Sequence, residues 1–273
     1  MTAPLPRPAA SRPAASRPAA FLRPRPQDSP SLRLIGFHHA GGSAAVYYPL
    51  LRHLPADWDV LLHDLPGRGR RIAEKQHDDM RDVVACAVSD VLPWTEDVPC
   101  ALFGHSMGAI VAAESARALE SLGRFPVWTG VSGRIAPDGR LPGRAPLHTL
   151  DDARLLEAMV ELGGMPDGVA EAPRFLEHFL RTVRTDLRAV HSYRPAADRT
   201  PLLSPLTFIG GNRDPWAPAA ETHLWSRETR SRFAQRFHPG GHFYFLGPGF
   251  EALAHDLTRQ VTACREAATS QSA

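Results

Sequence analysis

Along most of the chain, short apolar runs alternate with longer stretches of helical periodicity. The first run, Leu32, Leu34, Ile35 and Phe37, predicts a strand that opens into His38-His39-Ala40-Gly41-Gly42-Ser43, after which Tyr47, Leu50, Leu51 and Leu54 recur at helical spacing. Residues 58–64 (WDVLLHD) predict a second strand leading into LPGRG, and residues 79–94 an amphipathic helix with Met80, Val83, Val84, Ala87, Val88 and Val91 on its apolar side. Ala101, Leu102 and Phe103 end a third strand, and Ile110, Val111, Ala113, Glu114 and Ala118 continue as helix. Further strands are predicted over 127–131, 205–209 and 235–238, and a closing helix over 250–263. Runs that are apolar at successive positions bury both faces of their strand, and strands separated by helices call for a mostly parallel sheet covered on both sides, an α/β architecture. Right-handed crossovers then gather the carboxyl ends of the strands, and the loops they feed, on one edge.

Three segments depart from the alternation. Residues 1–30 carry RPAAS, RPAAS, RPAA and further prolines at Pro24, Pro26 and Pro30. Proline fixes φ and lacks an N–H, so this segment is expected to be a disordered arm, with the folded domain over 31–265 and a frayed tail over 266–273. Between 134 and 198 no strand is predicted. Pro137, Pro142 and Pro146 loop out, a helix capped by Asp151 ends at Gly163-Gly164, and Phe175, Leu176, Phe179, Leu180, Val183, Leu187 and Val190 mark a second helix. The expectation is a helical lid inserted over the functional edge, with Leu155, Met159, Leu162, Phe175, Phe179 and Val183 as its apolar lining. Ordinary packing of helix on sheet would produce the same stripe.

A chain of 273 residues with 43% hydrophobic positions can bury the core of one large domain. Its formal net charge of +2 lacks the concentrated basic face that phosphate backbones require, which argues against nucleic acid as a partner. Cys86, Cys100 and Cys264 are far apart, odd in number and in no CxxC pair, so they read as small buried hydrophobes in a reducing compartment. No apolar run reaches the length of a membrane span, and the N-terminus has no apolar signal core. A cytoplasmic protein with no membrane partner is expected.

The candidate chemistry centres on LFGHSMGAIV, a GxSxG sequence at the junction of a strand and a helix. In such an elbow the serine, here Ser106, is pushed out of the sheet edge on a strained turn, while Gly104 and Gly108 leave room for neighbouring backbone. The bland alternative is a tight turn with an exposed serine. A serine needs a base, and the base needs an orienting group. Asp214 and His242 follow later strands in the order Ser, Asp, His, whereas Asp198 precedes its strand and falls on the opposite edge. The His-Ala-Gly-Gly loop is where a backbone oxyanion donor belongs, so the N–H groups of Ala40 and Met107 are the candidate oxyanion hole. A phosphate loop is the weaker reading of that segment, because GxxxxGK[ST] is missing and the chain's one lysine, Lys75, is distant.

FHHAGGSA, LPGRG, GHSMGA, SGRIAP, LGG, GNRDP and PGGHFYF, in this order, resemble the type II thioesterases, stand-alone α/β-hydrolases that serve polyketide synthases and nonribosomal peptide synthetases. The resemblance extends from about residue 32 to 262. It implies hydrolysis of stalled or aberrant acyl groups from the phosphopantetheine arm of acyl or peptidyl carrier proteins through an acyl-Ser106 intermediate. It implies a lid that buries an acyl chain, no metal, no dissociable cofactor, and a monomer. Where this family usually has proline before His-Ala-Gly-Gly, the chain has His38, which is expected to loosen the loop or to add a polar group at its mouth. Rival readings are a chain-releasing thioesterase, a general carboxylesterase and a catalytically inactive carrier-binding protein.

Overall fold

The computed structural model describes residues 20–139, 146–165 and 172–271. Its seven strands are β1 (Phe21–Leu22), β2 (Leu32–Phe37), β3 (Trp58–His63), β4 (Cys100–His105), β5 (Trp128–Ser132), β6 (Leu206–Gly211) and β7 (Phe233–His238), in the sheet order β1-β3-β2-β4-β5-β6-β7. All neighbours pair in parallel except β1, which runs antiparallel to β3. Helices α1 (Met80–Val91), α2 (Met107–Ser121), α3 (Asp152–Leu162), α4 (Pro173–Ser192) and α5 (Gly249–Gln271) complete the fold.

The apolar runs serve both faces, as a parallel sheet requires. On β2, Ile35 and Phe37 join one core with Leu102 of β4 and the inner sides of α1 and α2. Leu32, Leu34 and Phe103 point the other way, onto α5 and the 3₁₀ segment Ala44–His53. That segment takes the place of the α-helix implied by the spacing of Tyr47 and Leu50. Pro49 lies inside it and removes a backbone donor. Helix α1 starts where Asp79 accepts a hydrogen bond from the Arg81 N–H at 2.7 Å, and α3 where Asp151 accepts one from the Arg154 N–H at 2.9 Å.

Two boundaries differ from the sequence reading. The expected arm of residues 1–30 ends earlier: Phe21 pairs with His63 and is buried, and the Arg23 guanidinium meets Asp59 at 2.7 Å, so the edge of the sheet captures this proline-flanked stretch. The remainder of the expected arm, residues 1–19, lies outside the described residues, as do Pro142 and positions 272–273 of the expected tail. Residues 266–271 of that tail continue α5 as helix.

The insertion between β5 and β6 holds α3 and α4 and builds its own small core from Leu155, Met159, Phe179, Leu180 and Val183, with Leu162 packed against it. Phe175 is a correction to the expected lining. It is 70% exposed on the first turn of α4. Helical periodicity admits it to the apolar stripe, but among the described residues no element buries that end of the helix.

Candidate active site

The carboxyl ends of β2, β4, β5, β6 and β7 align along one edge, with Phe37 opposite Gly104, His105 opposite Ser132, and Gly211 opposite His238. Crossovers leave β2 and β4 in opposite directions, so the loops after them flank a topological switch point, where ligands of open α/β sheets bind. Ser106 lies there, between β4 and α2.

Its backbone has φ 57° and ψ −112°, a conformation that typically costs about 1–3 kcal/mol for a residue with a Cβ. Its surroundings enforce that turn. The Ser106 N–H donates to the Ser132 carbonyl at 2.7 Å. A Cβ on Gly104 would collide with the Gly108 carbonyl, and one on Gly108 with the Phe37 and His38 carbonyls. The absent side chains therefore let α2 press against both β4 and the loop after β2. Met107 is the first residue of α2, so its N–H has no intrahelical partner.

The loop after β2 presents its second free amide by a chain of backbone constraints. The His39 carbonyl accepts from His38 Nδ1–H at 2.8 Å and from the Gly42 N–H at 3.0 Å. In a trans peptide the N–H points opposite to the C=O, so holding this carbonyl fixes the direction of the Ala40 N–H. The next peptide is held at both ends: the Ala40 carbonyl accepts from His39 Nδ1–H at 2.9 Å, and the Gly41 N–H donates to Asp186 Oδ2 at 2.7 Å. The expectation that His38 loosens the loop or polarises its mouth is corrected by this geometry. His38 is 2% exposed, its second ring nitrogen accepts from the Leu65 N–H at 3.5 Å, and burial holds its pKa well below the usual range, so it acts as a neutral internal tie.

His242 and Asp214 meet at 2.9 Å between Nδ1 and Oδ2, both almost fully buried. The other carboxylate oxygen of Asp214 accepts from the Trp216 N–H at 2.8 Å, which orients the carboxylate. With Nδ1–H donated to Asp214, Nε2 of His242 is the free base position. The loops after β6 and β7 are tied together, since the Asn212 N–H donates to the His238 carbonyl at 2.9 Å and the Arg213 N–H to the Gly240 carbonyl at 2.9 Å. Beneath the His242 ring lies His105, 4.7 Å away between centroids, which pairs through Nδ1 with Ser132 Oγ at 2.9 Å. Burial keeps His105 neutral and lowers the pKa of His39 to about 4, so neither adds a competing positive charge beside His242.

Asp186 and Arg68 are the residues that sequence patterning missed. Arg68, from LPGRG, forks onto Asp186 of α4 at 2.5 and 2.8 Å; the two are 4% and 1% exposed. Because Asp186 also accepts from Gly41, α4 is bonded directly to the loop that carries Ala40. Val183 and Phe179, both among the expected lining, press on Gly41 in the same place. An acidic residue on the polar side of a periodic helix was the available signal, and it says nothing of its partner 118 residues away.

Beside this centre a cavity of about 700 Å³ is bounded by Ile110, Ile135, Leu187, Val190 and Trp216, with Arg134 at its wall. No group of three or more metal-ligating side chains occurs among the described residues, and no helix among them is long and apolar enough to cross a membrane.

Comparison with known proteins supplies the family. A family model described as a thioesterase domain matches residues 32–261. The thioesterase PikA5 of Streptomyces venezuelae is 34% identical over 245 residues, covering 89% of this chain and 85% of that protein. Among solved structures, the type II thioesterase BorB of the borrelidin biosynthetic cluster superposes with a TM-score of 0.80 at 33% identity, over 89% of this chain and 98% of that one. RedJ, a thioesterase of the prodiginine pathway of Streptomyces coelicolor, gives 0.77 at 33% identity, over 93% and 91%.

Proposed function

The chain belongs to the thioesterase family, and from that premise we propose that it hydrolyses acyl groups from the phosphopantetheine arms of carrier proteins, clearing stalled or aberrant chains from a polyketide or nonribosomal peptide synthase. The observation that carries this reading is the buried Asp214–His242 pair on the same sheet edge as the strained Ser106 elbow, in a chain that matches stand-alone type II thioesterases over nearly the full length of both.

In the proposed mechanism, His242 Nε2 takes the proton of Ser106 Oγ as the oxygen attacks the thioester carbonyl carbon. Asp214 holds the ring in the required tautomer and stabilises the imidazolium. The developing oxyanion accepts from the Ala40 and Met107 N–H groups, whose directions are set before substrate arrives. Collapse expels the pantetheine sulfur, a good leaving group with a thiol pKa of about 8.5, and the His242 imidazolium gives it the proton taken from Ser106, which returns His242 to its neutral form. Water, deprotonated by His242, then attacks the acyl-Ser106 ester; the acid leaves and Ser106 regains its proton. Every step uses groups of this chain, water and the thioester.

The test is acyl release from a panel of acyl-loaded carrier proteins, with free acyl-pantetheine and p-nitrophenyl esters alongside, for the wild type and Ser106→Ala. Carrier-bound acyl groups are expected to turn over fastest, and the substitution to abolish the rate. Equal turnover of simple esters, indifferent to the carrier, would make the protein a general esterase; binding without turnover would make it a carrier-binding protein.

A further inference from the structure

Arg134 is a charged group that the proposed mechanism leaves unused. It follows Ser132 and Gly133 at the carboxyl end of β5, and any side chain on Gly133 would strike the His105 ring that underlies His242. The cavity it lines has a mainly apolar wall that includes Ile135, Leu187 and Val190. That cavity adjoins the proposed catalytic centre. Trp216 belongs to its wall with a ring centroid 6.4 Å from that of His242, and Ile110 is one helical turn from Ser106.

Four other arginines of the fold are neutralised by carboxylates. Arg68 forks onto Asp186, Arg71 meets Asp90, and Arg117 and Arg199 share Glu228. Arg134 has no carboxylate within ion-pair distance among the described residues. Its ionisable neighbour is Tyr193, whose hydroxyl donates to Glu114 at 2.6 Å. Among the described residues, the hydrogen bond at this position is made by the backbone, where the Arg134 carbonyl accepts from Trp225 Nε1–H at 2.7 Å. Arg134 is half-buried, and partly desolvating a guanidinium without a counter-ion opposes folding, so an apolar side chain there would serve the fold about as well. A binding site can sacrifice stability in this way when the missing counter-ion arrives with the ligand.

We infer that Arg134 is an anion-recognition group of the acyl-thioester site, its planar fork accepting a two-oxygen anion carried by the substrate. The inference rests on the thioesterase reading above. That anion has two possible sources, a carboxylate on the acyl group or the phosphate of the pantetheine arm, and both present the same chemistry to the guanidinium.

Four thioesters separate them: propionyl and malonyl groups, each on N-acetylcysteamine, which has no phosphate, and on 4′-phosphopantetheine. The quantity read is kcat/KM for the full-length wild type, Arg134→Met and Arg134→Lys, with melting temperatures in parallel. If the acyl carboxylate is the ligand, Arg134→Met lowers malonyl relative to propionyl turnover by about tenfold or more on both carriers, and Lys recovers part of the ratio. If the phosphate is the ligand, both phosphopantetheine thioesters fall relative to their N-acetylcysteamine counterparts by a similar factor, about tenfold. The melting temperature of Arg134→Met is expected to match or exceed that of the wild type. Equal losses on all four thioesters, or unmoved ratios in an active protein, overturn the role of Arg134 alone. A wild type inert on all four and on carrier-bound acyl groups overturns the thioesterase reading itself. Should Arg134→Met fail to fold, Arg134→Lys and Arg134→Gln give the same ratios.

Discussion

At the carboxyl edge of the sheet the candidate reacting groups are placed mainly by backbone: Ser106 by a forced turn from β4 into α2, Asp214 and His242 by loops bonded to each other, Ala40 by a carbonyl held twice. Over the same edge, α3 and α4 are attached by side chains. Asp186 reaches Arg68 and Gly41, Thr182 accepts from Gln76 Nε2 at 3.0 Å, the Tyr193 hydroxyl meets Glu114, and Arg188 pairs with Asp78 at 3.2 Å on the surface. A sheet ladder tolerates little displacement, whereas side-chain ties can break singly. The edge is thus the more rigidly held of the two regions, and Asp186 ties the insertion to the loop after β2.

The largest expected effect lies wholly on the edge. Asp214→Asn keeps the shape but presents the wrong hydrogen-bonding partner to His242 Nδ1, and kcat on a carrier-bound acyl group should fall by about 10⁴ with little change in KM. A fall of less than about tenfold would mean that the base is oriented by something else.

Next comes the junction. Asp186→Ala leaves the buried Arg68 charge and the Gly41 N–H without their partner, which should cost about 3–5 kcal/mol in urea unfolding. It should also lower kcat toward the loss of one oxyanion donor, at most about 10²–10³. Because a destabilised protein could lose activity for trivial reasons, the double substitution Asp186→Leu with Arg68→Met sharpens the test. It should recover stability without recovering kcat. Recovery of both would show that the loop carrying Ala40 does not depend on α4.

What the sequence made legible follows the same division. Ser106, Asp214 and His242 each stand in a local pattern after a predicted strand, and chain order does the rest. The sheet was readable from its apolar runs, since β3 and β4 are buried at every position and most of those positions are apolar. The pairing of β1 was not, because a two-residue strand among prolines carries no periodicity. Neither was the place of Phe175, whose spacing matches the buried face of α4 although it lies exposed, nor the tie between Asp186 and Arg68, which exists only once the chain has folded. His38 shows the limit of reading a substitution by analogy: where a rigid proline was expected, a buried imidazole holds the same carbonyl by a hydrogen bond.

The smallest predicted effect is a pH dependence of the edge. The folded-state pKa of His39 is depressed to about 4 by burial, so between roughly pH 6.5 and that value the unfolded chain binds a proton that the native state refuses. Stability should therefore fall on acidification through this window, by up to about 1.4 kcal/mol per pH unit for one such histidine. In His39→Asn the slope of melting temperature against pH between those limits should be shallower; an unchanged slope would mean that His39 is protonated in the fold.

The central claim, that the edge takes the acyl group from its carrier onto Ser106, is tested most directly by rapid quenching after mixing the enzyme with one equivalent of acyl-loaded carrier protein, followed by peptide mapping by mass spectrometry. The acyl mass is predicted on the peptide containing Ser106 in the wild type, decaying as free acid appears, and on no peptide in Ser106→Ala. Free acid forming at the wild-type rate in Ser106→Ala, or an acyl adduct on another residue that decays at the rate of turnover, would contradict the account.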